Sequence, residues 1–263
     1  MNNEIELENG YIDDNFAINI QNKKIQNLEL YKLVEELNKL LYDIEKNFIG
    51  KNSSERELYI FTSFSQIHIS CQSFIILIER ELYSDAQIIL RAIYEKILNL
   101  KMVILEEDYI KRILKDSLIQ GHSILKKIKE NRLYELINEK IVDIRIEEYK
   151  NKIEEMANIK GTMNMSDIAD KVGMKQKYVS YKLLSEYTHN DLTVMMQNLK
   201  FEKEGVIING AQAYGEFSDE ILKFVECVEY AIRAISEYFN NKEYIERLEK
   251  IQYKYEYLWK KYN

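Results

Sequence analysis

Apolar residues recur three and four positions apart along most of this chain, the spacing that lines one face of an α-helix. The first clear run is Leu30, Val34, Leu37, Leu41, Ile44 and Phe48, which predicts a helix over residues 25–48 stopped by Gly50. Ser54 with Glu57 three residues on is a capping-box start for a second helix, ending near Tyr83. Ser84 and Gln87 repeat that signal and open a third helix to Leu105. Apolar residues cover almost the whole circumference of this third helix, so it is expected in the middle of a bundle. Two helices follow over 108–129 and 133–158, the second heavily charged and expected outside. Ser166 starts a short helix that Gly173 ends, and a longer one runs over 175–199. Lys203-Glu204-Gly205 before Val206-Ile207-Ile208 fits a small β-hairpin near 201–210, and a short strand is expected at 16–20. Ser218 caps a helix to Phe239, with Asp219 and Glu220 favourably placed in its first turn.

The last segment places Tyr244, Leu248, Ile251, Tyr255, Leu258 and Tyr262 at alternating steps of four and three, which is heptad spacing. Two readings stay open: a helix packed on its own domain, and a homodimer contact. The expected architecture is an all-α multi-helix bundle of about eight or nine helices. Its organisation is a loose lead-in over 1–23, one helical domain over 24–240 and a C-terminal amphipathic helix over 241–263.

Composition sharpens this picture in three places. The absence of proline and the scarcity of glycine, 8 in 263 residues, exclude a turn-rich β protein. A net charge of -7 excludes a molecule that attracts nucleic acid by its overall charge, and leaves only a local basic patch for that purpose. Residues 58–78 carry no charge, but Thr62, Ser63, Ser65, Gln66, His68, Ser70, Gln72 and Ser73 make the segment too polar for a membrane span. A helix buried by its neighbours is expected there instead, so no membrane partner is expected. The acidic residues 1–14 lack the pattern of a secretory signal, which together with two unpaired cysteines, Cys71 and Cys227, leads to an expected cytoplasmic location.

Polar residues on apolar helices are the candidates for chemistry, because burying them without partners is costly. Arg91 and Glu95 are four apart and within pairing distance across one turn. This is either an internal ion pair or a guanidinium held ready for an anion, with Glu95 orienting it. Tyr181, Ser185 and His189 share another face, and His189 has the chemistry of a general acid or base. His68 lies inside the uncharged helix, where a satisfied core histidine competes with a ligand-binding role. No metal or cofactor is expected: there is no cysteine pair and no His-x-x-x-His, and Glu186 with His189 is a single Glu-x-x-His where a di-iron site needs two. Residues 168–182 imitate a helix-turn-helix, with five lysines and two aspartates over 160–182. No separate three-helix unit surrounds them and no arginine is offered for guanine, so DNA is the least favoured partner.

The segment Arg91-Ala92-Ile93-Tyr94-Glu95, and the later Val172-Gly173 followed by Tyr181, Ser185 and His189, resemble a bacterial domain-of-unknown-function family numbered five-six-seven-seven. That resemblance implies an all-helical fold in which the Arg91/Glu95 helix and the His189 helix meet. It also brings in a wider group of small helical nucleotide-binding proteins of prokaryotic defence and toxin systems, many of them ribonucleases with an arginine four to six residues before a histidine. This sequence departs from that pattern, since no arginine precedes His189 at that spacing and Arg112 is too far from His122.

The leading expectation is one internal polar site of Arg91, Glu95, Ser185 and His189, flanked by Tyr94 and Tyr181, for a nucleotide or an RNA phosphate. If it is an enzyme, it is a metal-independent phosphodiester or nucleotide-directed hydrolase, with His189 moving the proton and Arg91 stabilising developing charge. The rival is a non-catalytic homodimeric interaction protein in which the same residues form a structural network.

Overall fold

The computed structural model describes residues 20–21, 24, 26–48, 54–133, 138–188, 199–202, 205–208 and 217–262. Among the described residues are nine helices and one hairpin. The helices are α1 (Leu28–Lys46), α2 (Glu55–Glu79), α3 (Tyr83–Leu105), α4 (Tyr109–Glu130), α5 (Glu139–Glu155), α6 (Met165–Lys171), α7 (Tyr178–Thr188), α8 (Phe217–Tyr238) and α9 (Lys242–Tyr262). Strands β1 (Leu199–Glu202) and β2 (Gly205–Ile208) pair antiparallel, Leu199 opposite Ile208 and Glu202 opposite Gly205. The expected hairpin is therefore present two residues early. Leu199 belongs to a strand, not to the end of a helix. Most of the strand expected at 16–20 lies outside the described residues, and Ile20 itself is helical.

Helix α3 is central, packing on α2, α4, α6, α7 and α8. Its buried residues include Leu90, Ile93, Tyr94, Ile97, Leu98, Leu100 and Val103, so the apolar circumference has partners on most sides. Helix α2 runs antiparallel to it: Lys96 donates to the Ser70 hydroxyl at 2.7 Å, and Arg56 donates to the Val103 and Ile104 carbonyls at 3.1 and 2.7 Å. Ser54 caps α2 as expected, accepting from the Glu57 amide at 3.2 Å while the Glu57 carboxylate accepts from the Ser54 amide at 2.9 Å. By length and composition α2 is apolar enough to cross a membrane. In this fold one face of it, Ile60, Phe64, Ile67, Cys71, Phe74 and Ile78, is sealed against α1, α3 and α8.

Four helix ends share one device. After α2, α4, α6 and α8 a residue takes positive φ, at Glu81 (61°), Arg132 (53°), Gly173 (71°) and Asn240 (50°). The next amide then reaches back to a carbonyl five residues earlier, as Leu82 does to Leu77 and Met174 to Ala169. This closure turns the chain sharply without proline. It also corrects the reading of Ser84 as a cap, because α3 begins at Tyr83 with Leu82 before it and no side-chain cap. A Cβ at Gly173 would meet nothing within 4 Å, so the cost of Gly173→Ala is purely conformational. Chemical unfolding is expected to show a loss of about 1–2 kcal/mol.

Helices α4 and α5 form a hairpin at the edge, as the charge of the second predicted. Tyr109 anchors it to the core, and Val142 is the one fully buried side chain of α5. Gly121 lets the Tyr149 ring close onto α4; a Cβ there would sit 2.4 Å from the ring. Helix α9 lays Tyr244, Leu248, Ile251 and Leu258 onto α1 and α8. Arg247 pairs with Asp43 at 2.7 Å, while Lys254 meets Glu36 and Lys261 meets Glu29. The heptad seam of α9 is thus covered within the chain, so a dimer contact needs another surface.

Candidate functional site

Arg91 projects from the first half of α3 toward α7, where Gly173 and the turn at Lys175–Lys177 aim Tyr181 and Ser185 back at it. Its Nε donates to the Ser185 hydroxyl at 3.1 Å and one Nη to the Tyr181 hydroxyl at 3.3 Å. The guanidinium carbon stands 5.2 Å from the centre of the Tyr181 ring. Ser185 donates its own proton to the Tyr181 carbonyl at 3.0 Å, which leaves the oxygen lone pair pointing at Arg91. Residues 90 and 94 positions apart thus meet as the sequence motifs implied.

The expected Arg91–Glu95 ion pair is not formed; among the described residues the guanidinium contacts hydroxyls and an aromatic ring. The reason is local geometry. Arginine one turn before glutamate is the poorer order on a helix, and α7 offers a better-placed pair of oxygens. Glu95 keeps its place on the helix but is not part of this contact set.

A second ring extends the site. Tyr178 stacks on Tyr181 with centroids 5.5 Å apart and planes 26° apart, and Lys182 sits over Tyr178 at 5.8 Å. Two cations therefore bracket a two-tyrosine stack, one half-buried and one exposed. Tyr178 and Lys182 were not singled out from sequence, although their spacing from Tyr181 and Ser185 puts them on neighbouring turns of one helix.

The other expected members fall elsewhere. His189 lies outside the described residues, directly after the last residue of α7. Tyr94 turns to the opposite side, into the core, where its hydroxyl is hydrogen-bonded to Cys227 and burial pushes its phenol up. It does not flank Arg91. His68 faces α1: Nδ1 meets the Glu45 carboxylate at 2.6 Å and Nε2 lies 3.1 Å from the Asn38 side-chain oxygen. With both ring nitrogens engaged and 4% exposure, it is a satisfied core histidine, not a ligand-binding residue. Cys71 and Cys227 are buried free thiols, pushed up by burial, and act as packing groups.

One buried acid escaped the sequence reading. Glu220 was placed in the favourable first turn of α8, but its side chain is buried and accepts from Gln87 of α3, one turn before Arg91. Burial pushes its carboxyl up, Lys223 at 2.9 Å pulls it back down, and Asp219 adds to the rise. The signal available was Gln87 itself, a polar residue among apolar neighbours.

Three of the five lysines behind the helix-turn-helix resemblance are paired within the chain: Lys171 with Glu106, Lys175 with Asp170 at 3.0 Å, and Lys177 with Glu226. The second helix starts at Tyr178, three residues later than expected, and buries Tyr181 and Leu184. A broad cleft of about 910 Å³ between α1 and α9 is lined mostly by charged side chains, and Arg247 with Asp43 and Lys254 with Glu36 bridge it. It holds none of the residues around Arg91. Among the described residues no group of three or more His, Cys, Asp or Glu is placed to hold a metal ion.

A family of unknown function, DUF5677, matches residues 57–207, more than half of the chain, and the chain belongs to that family. No curated protein and no solved structure matches it. The matched stretch runs from the start of α2 to the hairpin and holds Arg91, Tyr178, Tyr181, Lys182 and Ser185. Helices α1, α8 and α9 lie outside it.

Proposed function

We propose that this member of the DUF5677 family binds a phosphate-bearing ligand, a nucleotide or an RNA strand, against the Arg91, Tyr181 and Ser185 cluster. One observation carries the reading. A half-buried guanidinium is held in place by two neutral hydroxyls and a ring, and no carboxylate among the described residues cancels its charge. An arginine oriented in this way keeps its charge for an anion, and planar guanidinium suits two phosphate oxygens at once. The adjoining Tyr178/Tyr181 stack adds aromatic surface of the kind on which bases are held. The catalytic form of the reading gives proton transfer to His189.

The test is calorimetric titration with nucleoside mono-, di- and triphosphates, and anisotropy with a short labelled RNA. Arg91→Gln is expected to weaken binding by about ten- to a hundredfold, from the loss of charged hydrogen bonds, while circular dichroism stays unchanged. Arg91→Lys is expected to fail as well, since a point charge replaces the planar fork. Absence of binding by the wild type, or equal binding by Arg91→Gln, overturns the reading. His189→Ala separates the two forms: turnover lost with binding retained marks the enzyme.

A further inference from the structure

A cleft of about 430 Å³ lies where α3, α6 and α8 end together. Lys101 and Ile104 come from the last turns of α3, Val172 follows α6, and Ala234, Glu237 and Tyr238 come from the last turns of α8. It holds none of the residues around Arg91 and none of those that line the cleft between α1 and α9. Sites for small molecules have this make-up, apolar walls with a few polar groups and a volume from about 300 Å³ upward.

The two charges in the cleft are the informative part. Lys101 is half-buried, and its ammonium stands 5.4 Å from the centre of the Tyr230 ring. Glu237 is exposed at the rim. Among the described residues neither side chain makes a hydrogen bond or an ion pair, with the other or with a third group. The cations around them are engaged, Lys171 with Glu106 and Arg233 with Glu229 and Gln252. Burial pulls the Lys101 ammonium below its ordinary value, Glu237 opposes that and Arg233 adds to it. A half-buried ammonium without an acceptor gains by meeting one.

We propose that this cleft binds a free α-amino acid with an apolar side chain. The ligand carboxylate accepts from Lys101, and the ligand ammonium donates to Glu237. The side chain lies among Ile104, Val172, Ala234 and Tyr238. Charge decides against the other ligands of this size. A phosphate or a dicarboxylate brings a second negative charge to one available cation with an acid beside it. A monocarboxylate leaves Glu237 facing a like charge, and a simple amine does the same to Lys101. A zwitterion satisfies both groups at once. The three helix ends add partial negative charge, which favours the ligand ammonium and opposes any excess of anion. The Tyr238 wall is set before a ligand arrives, because the Arg56 guanidinium carbon stands 5.5 Å from the centre of its ring.

Calorimetric titration of the full chain with L-leucine, L-phenylalanine, isocaproate and isoamylamine tests this. Isocaproate is leucine without its amine, and isoamylamine is leucine without its carboxylate. At least one of the two amino acids is expected to bind with a Kd below about 1 mM, and both truncated compounds at least about tenfold more weakly. Lys101→Met and Glu237→Gln are each expected to weaken the amino acid by about tenfold or more, with unchanged circular dichroism and an unfolding midpoint no lower than that of the wild type. Arg91→Gln is expected to bind the amino acid as the wild type does, so the cleft and the Arg91 cluster are tested separately. No binding of either amino acid up to about 10 mM overturns the proposal. So does binding indifferent to Lys101→Met and Glu237→Gln. Isocaproate binding as tightly as leucine also overturns it, and makes the cleft a monocarboxylate site in which Glu237 has no part.

Discussion

Phe74→Ala is expected to cost about 3–5 kcal/mol in urea unfolding, a large share of the stability of a single domain. Phe74 has no exposed surface and stacks on Phe224 of α8, with ring centroids 4.6 Å apart and planes 8° apart. The pair joins α2 to α8 across the centre of the bundle, one turn from the buried Cys71 and Cys227. Truncating it removes the transfer energy of a ring and leaves a cavity that close-packed neighbours fill only in part. Ile76→Ala, two residues along on the outer face, is expected to stay within about 0.5 kcal/mol in dilute protein. The contrast tests whether α2 works as a core helix with one sealed face. Similar costs for the two variants would reject that arrangement. Phe224→Ala and the double variant extend the test, with a coupling of about 0.5–1.5 kcal/mol expected for the stacked rings.

Helix positions were legible because periodicity reports burial, and burial is local to each helix. The α2 start at Ser54, the all-round apolar α3 and the outer α5 all follow from that. Side-chain partners were less legible, because they depend on which helix lies opposite. Gln87 looked like half of a capping box, yet its amide is spent on Glu220, 133 residues away. Arg91 looked like a partner for Glu95, yet α7 supplies its hydroxyls. Tyr94 and Arg91 are three apart on α3, but one meets α8 and the other α7. Only the family motifs linked Arg91 to Tyr181 and Ser185, since nothing in a single helix pattern names its neighbour. Two further helices show the same limit. The α9 heptads left self-packing and a dimer contact equally open until α1 and α8 were seen to cover them, whereas α2 was expected to be buried by its neighbours and keeps an uncovered side. Absence of charge showed that α2 is unusual but did not show on which face.

Glu45→Ala is expected to cost about 1–3 kcal/mol at neutral pH, and the cost is expected to shrink in acid. Burial alone would raise the Glu45 carboxyl. Hydrogen bonds from Ser65 and His68, together with the His68 charge, outweigh that and hold it below its ordinary 4.5. A carboxyl lowered in the folded state adds stability above its unfolded pKa, and that stability is lost as pH falls through the folded value. The gap between wild type and variant is therefore expected to be widest above the unfolded carboxyl's ordinary 4.5 and to narrow as pH falls through the lower folded value. The charged groups of the cluster come from α1 and α2, and Asn38 and Gln72 complete it with neutral contacts at 3.1 and 3.3 Å. Removing the carboxylate leaves a His68 nitrogen in a buried site without its closest partner, and that accounts for most of the cost. Unfolding curves of Glu45→Ala, His68→Ala and the double variant measure the coupling, which is expected to make the double variant less damaged than the sum of the singles. Additive effects, or a cost that does not change from pH 7 to pH 3, would mean that the two side chains act separately. In that case His68 would hold a ring nitrogen available to a ligand. Strong coupling instead fixes His68 as part of the wall between α1 and α2, and leaves Arg91 with its tyrosines as the polar site open to an anion.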